Sequence, residues 1–204
     1  GRPGGGINAL RGESNVQGST DHSLLYHIWP GYLGAARAGQ PTLAEYNEKN
    51  TPRSSNPQSA NWWQHKPKYM VSYLKAMFGG SATVENDFGY GRMPKIDDDA
   101  SYTWLDLFDA MYKGELEGFF SWGQNPANSG ANSGKTRKAL GKLDWLVNVN
   151  LFDNETASFW EGPGVDHKKI KTEVFLLPCA SSMEKDGSVT NSGRWMQWRY
   201  KAAD

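Results

Sequence analysis

What most constrains this chain is an alternation of helical and short apolar segments between residues 101 and 178. Ser101–Lys113 carries Leu105, Phe108 and Met111 or Tyr112 at helical spacing, and so predicts a helix. Leu116–Trp122 is a short apolar run, Ser133–Leu143 a basic helix, and Trp145–Phe152 a second apolar run. A short helical turn is expected over Thr156–Trp160, then a third strand, Glu173–Leu177, closed by Pro178. Helices interleaved with strands in this order form a parallel α/β layer. The expected class is therefore α/β: a short, mostly parallel sheet flanked by helices, behind a long irregular N-terminal part. In such sheets ligands sit at the carboxyl ends of the strands. Polar residues cluster there, at Gln124–Asn125, at Asn150–Glu155 and at Cys179–Ser182, which points to a nucleotide-like ligand and a Rossmann-like arrangement.

The first eighteen residues have a different character. Five glycines fall in the first twelve positions, where the backbone can come close to a ligand. Arg11 is the single cation that follows Ala9-Leu10, and Asn8, Asn15 and Gln17 add neutral amides. Glycine amides, one guanidinium and several carboxamides are the composition of an anion- or cofactor-cradling loop; its rival is a flexible glycine-rich terminus. Thr42–Asn50 reads as a short helix with a Thr42/Glu45 capping box. Asn61–Phe78 reads as an amphipathic helix beginning near Pro67, ended by Gly79-Gly80, with Trp62, Tyr69, Met70, Tyr73, Leu74 and Met77 on its stripe. Asp97, Asp98 and Asp99 read as a solvated acidic turn that caps the next helix.

Two loops carry further chemistry. Gly123–Gly130 leaves a strand and enters a helix through glycine and asparagine, so its amides suit a phosphate or ribose. It is neither a GxGxxG nor a Walker A loop. Asp153 or Asn154 would cap the turn that follows the second strand. Residues 184–194 read either as a plain surface hairpin or as a binding loop, since Thr190, Asn191 and Arg194 bring three donors together.

Other classes are excluded. Lys plus Arg and Asp plus Glu are equal at 22 each, so the chain carries no electrostatic footprint for nucleic acid or an anionic membrane. No apolar run is long enough to span a bilayer, so no direct membrane insertion is expected. One cysteine, Cys179, cannot build a disulfide or an iron–sulfur site, and His22, His27, His65 and His167 lack metal-ligand spacing. There is no GxSxG and no carboxylate pair for acid–base work. The chain supplies binding groups rather than a reactive centre. Its opening on Gly-Arg-Pro and its 9 tryptophans, of which Trp62, Trp63, Trp122, Trp160, Trp195 and Trp198 sit among polar neighbours, suggest a piece of a larger protein.

Several stretches together carry a resemblance. Gly4-Gly-Gly-Ile-Asn-Ala-Leu-Arg-Gly-Glu-Ser-Asn-Val-Gln-Gly leads, with Asp21 and Pro30-Gly31-Tyr32 behind it. Trp122–Ala127, Leu143–Ala157 and the stretch from Leu177 to Arg194 follow in order. The chain resembles catalytic subunits of molybdenum- or tungsten-dependent formate dehydrogenases, of the bis-molybdopterin guanine dinucleotide (dimethyl-sulfoxide reductase) family, of which some members are selenoproteins. The resemblance implies that Arg11 holds formate beside the metal, its planar fork suiting a carboxylate. Glu13 stands where relatives carry glutamine or histidine beside the substrate path. Gly6, Asn8, Gly12, Asn15, Gln17 and Gly18 would face a pterin. Gln124, Asn125, Ser129, Asn150, Phe152, Glu155 and Thr156 would hold the guanosine end of one dinucleotide, and Gly187, Thr190 and Asn191 a further part of it.

By the same resemblance, no metal ligand lies on this chain. The cofactor of the intact subunit is molybdopterin guanine dinucleotide with Mo or W, while a [4Fe-4S] cluster and a selenocysteine or cysteine ligand fall on other sequence. The implied partners are the remaining domains of the subunit, an iron–sulfur electron-transfer subunit and formate. A periplasmic place in anaerobic respiration is expected, with the cytoplasm as alternative, and the chain alone is expected to be inactive. Alternatives are another molybdopterin oxidoreductase (a nitrate, thiosulfate or polysulfide reductase), a non-enzymatic nucleotide- or carbohydrate-binding module, and a scaffold without a site.

Overall fold

A computed structural model describes residues 9–203, so Gly6 and Asn8 of the glycine-rich stretch lie outside the described residues. The chain forms two compact units, Gly1–Ala100 with Gly187–Arg199, and Ser101–Asp186 with Tyr200–Asp204.

The first unit opens with a short helix, α1 (Val16–Asp21), and a two-stranded antiparallel ribbon, β1 (Ile28–Trp29) and β2 (Leu33–Gly34), turning through Pro30-Gly31-Tyr32. Helix α2 (Leu43–Asn50) starts at the capping box expected of it: Glu45 N donates to Thr42 Oγ1 at 3.3 Å and Thr42 N to Glu45 Oε2 at 3.0 Å. Helix α3 (Lys66–Phe78) has Pro67 in its first turn, where a missing N–H costs nothing, and stops at Gly79 with φ +55°. Leu33, Ala36, Leu43, Tyr46, Met70, Leu74, Tyr90 and Met93 make the core of this unit.

Two expectations fail here for local reasons. Trp62 is 65% exposed because it lies in a separate 3-10 turn, Trp62–His65, out of phase with α3. Met77 is exposed as well, and the partly buried Phe78 packs on the core at that end of the helix. Nor do the three aspartates cap the next helix: Asp98 Oδ2 accepts from Gly39 N at 2.7 Å, tying down a distant turn.

The second unit begins with α4 (Trp104–Lys113), capped instead by Thr103, whose Oγ1 accepts from Asp106 N while Asp106 accepts from Thr103 N. Strand β3 (Gly118–Trp122), helices α5 (Pro126–Ser129) and α6 (Ser133–Leu140), and strands β4 (Trp145–Asn150) and β5 (Glu173–Pro178) complete it. The sheet has the order β3-β4-β5 and is wholly parallel, with Phe119 beside Leu146 and Leu146 beside Val174. One face is sealed by Phe108, Met111, Ala127, Ala139, Leu140 and Phe159 packing with Leu146. Mixed α/β architecture with a helix-flanked parallel sheet is thus the observed class. The second strand ends two residues before the expected Phe152, which is 80% exposed, and the expected turn after it is a single 3-10 turn, Phe159–Glu161. No helix among the described residues is long and apolar enough to cross a membrane.

The chain then returns to the first unit as an antiparallel hairpin, β6 (Gly187–Thr190) and β7 (Met196–Arg199).

Candidate functional site

Two clusters of polar side chains stand out, one in each unit.

In the first unit the cluster is built on α1, the β1–β2 turn and the β6–β7 hairpin. Asn15 has left-handed backbone (φ 60°), and its Oδ1 accepts from Thr190 N at 3.0 Å. Gly18 is what lets that side chain lie down: a Cβ there would sit 2.1 Å from Asn15 Oδ1. The hairpin also reaches Arg11, whose backbone N donates to Ser192 Oγ at 2.9 Å. The Arg11 side chain is exposed and donates from Nη2 to Gln17 Oε1 at 3.4 Å. Gln17 is only 3% exposed, and its Nε2 donates to Asp21 Oδ1 at 2.9 Å and to Tyr32 Oη at 2.8 Å. Tyr32 in turn donates to Asp21 and accepts from Arg194 Nη2 at 3.3 Å, the guanidinium lying 5.2 Å from the centre of its ring. Partial burial first, and then the Asp21 carboxylate that takes its proton, push the Tyr32 phenol above the ordinary tyrosine range.

The expected residues of this region therefore divide. Arg11, Asn15, Gln17, Gly18 and Thr190 come together, although Gln17 is turned inward and its amide is fully engaged by protein groups. Asn191 stays at the hairpin tip, its Oδ1 accepting from Trp195 N at 3.1 Å. Glu13 is exposed and, among the described residues, nothing lies within 4 Å of where a Cβ on Gly12 would stand, while Gly187 sits in β6 opposite Arg199. Asp21, Tyr32, Ser192 and Arg194 were not singled out as site residues by sequence reasoning. The signals available were the donor-rich loop containing Arg194 and the presence of Asp21 and Tyr32 among the stretches that carry the resemblance.

In the second unit the cluster joins the loops that follow β3 and β4. The Gln124 carbonyl gathers Ser121 Oγ at 3.3 Å, Asn150 Nδ2 at 3.2 Å and Asn154 Nδ2 at 3.4 Å. It is this backbone oxygen of Gln124, not its exposed side chain, that the structure engages. Asn125 Nδ2 and Asn128 Nδ2 both donate to the Glu155 carboxylate, the latter at 3.2 Å. Thr156 Oγ1 donates to Asn125 Oδ1 at 2.9 Å and accepts from Ala127 N at 3.0 Å. Donation by Asn125, followed by the backbone amide, holds the Glu155 carboxyl below the ordinary glutamate range. Ser129 Oγ is spent on its own turn, bonding Asn125 O at 2.9 Å, and Phe152 projects into solvent. A cleft of about 230 Å³ lies beside Glu155, lined also by Arg137, Ser158, Phe159 and Gly162.

Beneath these loops is Asn148, fully buried in the middle of β4. Its Nδ2 donates to Asn154 Oδ1 at 3.1 Å, and the same Asn154 oxygen caps the loop by accepting from Thr156 N at 3.0 Å and Ala157 N at 3.1 Å. The capping role expected of Asp153 or Asn154 thus belongs to Asn154. Asn128, Arg137 and Asn148 were missed; a lone amide in the apolar run Trp145–Val149 was the signal for the last. Among the described residues, no three His, Cys, Asp or Glu side chains stand together as a metal site.

Fold and site define a class: an α/β segment with amide- and carboxylate-rich loops at the carboxyl ends of a parallel sheet, and an arginine-bearing polar cluster in its other unit. No protein-family model matches the chain. Its relatives are specific. It is 66% identical over 197 residues to the formate dehydrogenase subunit alpha of Megalodesulfovibrio gigas, covering 97% of this chain and 19% of that one. It is 55% identical over 201 residues to formate dehydrogenase 2 subunit alpha (cytochrome c-553) of Nitratidesulfovibrio vulgaris, covering 98% of this chain and 20% of that one. It is 43% identical over 208 residues to the formate dehydrogenase-O major subunit of Escherichia coli, covering 100% of this chain and 20% of that one. Over its whole length the chain is homologous to the alpha, or major, subunits of formate dehydrogenases, and it spans about a fifth of their length.

Proposed function

We propose that this chain is a part of a formate dehydrogenase catalytic subunit that oxidises formate to carbon dioxide. The 66% identity to such a subunit over 97% of the chain is the observation that carries the reading. The cofactor it implies is molybdopterin guanine dinucleotide with molybdenum or tungsten. When bound, that group supplies the two-electron chemistry; the protein supplies binding, orientation and electrostatics.

The donor set fits the guanosine end of such a dinucleotide. Each Glu155 oxygen accepts one carboxamide and keeps lone-pair capacity for a hydroxyl or ring N–H. The adjoining cleft adds the Arg137 guanidinium, and the strand-end position is where α/β sheets take such ligands. A Rossmann-like role for the second unit rests on these features. Arg11 is assigned the formate carboxylate: it is exposed, permanently charged, and among the described residues its side chain makes one long contact, to Gln17. Asn15 and Gly18 fix the hairpin on which the Arg11 backbone leans. The metal ligand and iron–sulfur cysteines are assigned to sequence outside this chain, and the isolated chain is expected to be inactive. Electrons would leave through an iron–sulfur partner subunit, in the periplasm. The cytochrome c-553 in one relative's name supports an electron carrier beyond it.

Replacing Arg11 with Lys in the intact enzyme keeps the charge and removes the fork. Turnover efficiency with formate should fall by about 100-fold, as for the loss of a donor that stabilises developing charge. Near-normal kcat/KM in R11K would remove Arg11 from the active site.

A further inference from the structure

We propose that Asp21 and Tyr32 are positioning residues that aim the Arg11 guanidinium, acting through the amide of Gln17. The inference rests on the formate reading above only for the identity of the anion.

The argument is one of donors and acceptors. An ionised carboxylate accepts only, and a guanidinium donates only. Asp21 therefore forces the Gln17 group facing it to be the NH2, and forces Tyr32 to spend its proton on Asp21. With its proton committed, the Tyr32 oxygen must accept, and it does so from Gln17 Nε2 and Arg194 Nη2. Both hydrogens of the Gln17 amide are then taken, so its oxygen points at Arg11. A flipped amide would put its oxygen against a carboxylate and its NH2 against a guanidinium, both repulsive. Gln17 is buried, which raises the cost of any unmatched arrangement. The orientation of one exposed arginine is thus set by a carboxylate it does not touch.

The backbone supports the same conclusion. Asn15, Ser23, Tyr32 and Arg194 all have left-handed φ between 60° and 62° or, for Tyr32, 58°, conformations that L side chains adopt at a cost. These four residues bracket the cluster in three separate segments. Tyr32 and Arg194 are members of the network, and their hydrogen bonds help to hold a backbone conformation that costs free energy on its own.

A double-mutant cycle in the intact enzyme tests this, with azide, a monoanion that cannot be oxidised to carbon dioxide, as the probe. Its dissociation constant is measured by titration calorimetry alongside KM and kcat for formate. Asp21→Asn permits the amide to flip and should weaken azide binding and raise KM about tenfold, with a smaller effect on kcat. Tyr32→Phe, which removes one Gln17 partner and the hydrogen bond from Arg194 while keeping the ring beneath its guanidinium, should do the same more mildly and serves if the Asp21 variant does not fold. On an Arg11→Lys background neither substitution should add to the loss, because both act through the fork. Wild-type azide affinity in both single variants, or penalties that multiply on the Arg11→Lys background, would overturn the proposal. Normal turnover in R11K alone would instead overturn the assignment of Arg11 to formate, so the two failures are separable.

Discussion

Gly18 shows how a single missing side chain organises the first unit. The Asn15 carboxamide lies where a Cβ on residue 18 would stand, and from there it holds the Thr190 amide. Gly18→Ala must displace that carboxamide, leaving the Thr190 N–H unpaired and loosening the hairpin that also holds the Arg11 backbone. A destabilisation of about 1–2 kcal/mol follows from an unmatched, partly buried donor plus overpacking. Hydrogen exchange in the intact enzyme should quicken in residues 187–199 and 16–21, while exchange in 101–150 stays unchanged; equal exchange in all three would refute it. At this scale the sequence was partly legible. What could be read was that Arg11, Asn15, Gln17 and Gly18 belong to one local stretch; Asp21, Tyr32 and Arg194 are separated by 11 and 162 residues along the chain, and only tertiary structure brings such partners together. Gln17 was read as facing a ligand because an amide's direction depends on those unseen partners.

Among the elements, β4 and the loop after it depend on one buried polar residue. A strand covered by helices reads as continuous apolar sequence, and Trp145-Leu-Val-Asn-Val breaks that rule at Asn148. Among the described residues its Oδ1 has no hydrogen-bond partner, a cost that the contact to Asn154 must offset. Asn148→Leu should therefore leave the sheet nearly as stable, within about 1 kcal/mol, since an imperfectly satisfied polar group gives way to an apolar one. Its effect should fall on the loop instead: the Thr156 and Ala157 amides, which bond an Asn154 side chain left with only its long contact to Gln124, should exchange faster in the intact enzyme. Unchanged exchange there, or a large loss of thermal stability, would contradict this assignment. Strand and helix positions were legible because apolar periodicity and caps act locally, as at Thr42 and the strand Glu173–Pro178. Trp62 and Asp98 were misread because one depends on a 3-10 turn breaking helical phase, the other on a backbone amide far away.

Across the whole molecule, the two units are secured by groups that titrate at opposite ends of the pH scale. Tyr90 is buried beside Tyr46 in the first core, with its hydroxyl donating to the Gln40 carbonyl at 2.8 Å. Burial, and then the Glu45 charge, push its phenol up to about 12, and Tyr46 is raised further by its own burial and by Tyr90. A phenol whose folded pKa is raised contributes stability fully present below its unfolded value, about 10, and lost as pH climbs through the folded one. Glu155 behaves in the opposite sense: its lowered pKa gives a contribution present above the ordinary glutamate value, about 4.3, and lost only as pH falls through the lower folded value. Its carboxylate ties the loops after β3 and β4, so protonation replaces an acceptor for Asn125 and Asn128 with a weaker one. Brief pH-jump exchange on the intact enzyme should then open the core around Tyr46 and Tyr90 first above about pH 10, and residues 124–129 and 151–157 first below about pH 4. Tyr90→Phe should shift the alkaline transition, and Glu155→Gln should abolish the acid one, leaving its loops loose at every pH. Coincident opening of both regions at either extreme would mean that these groups do not control their units.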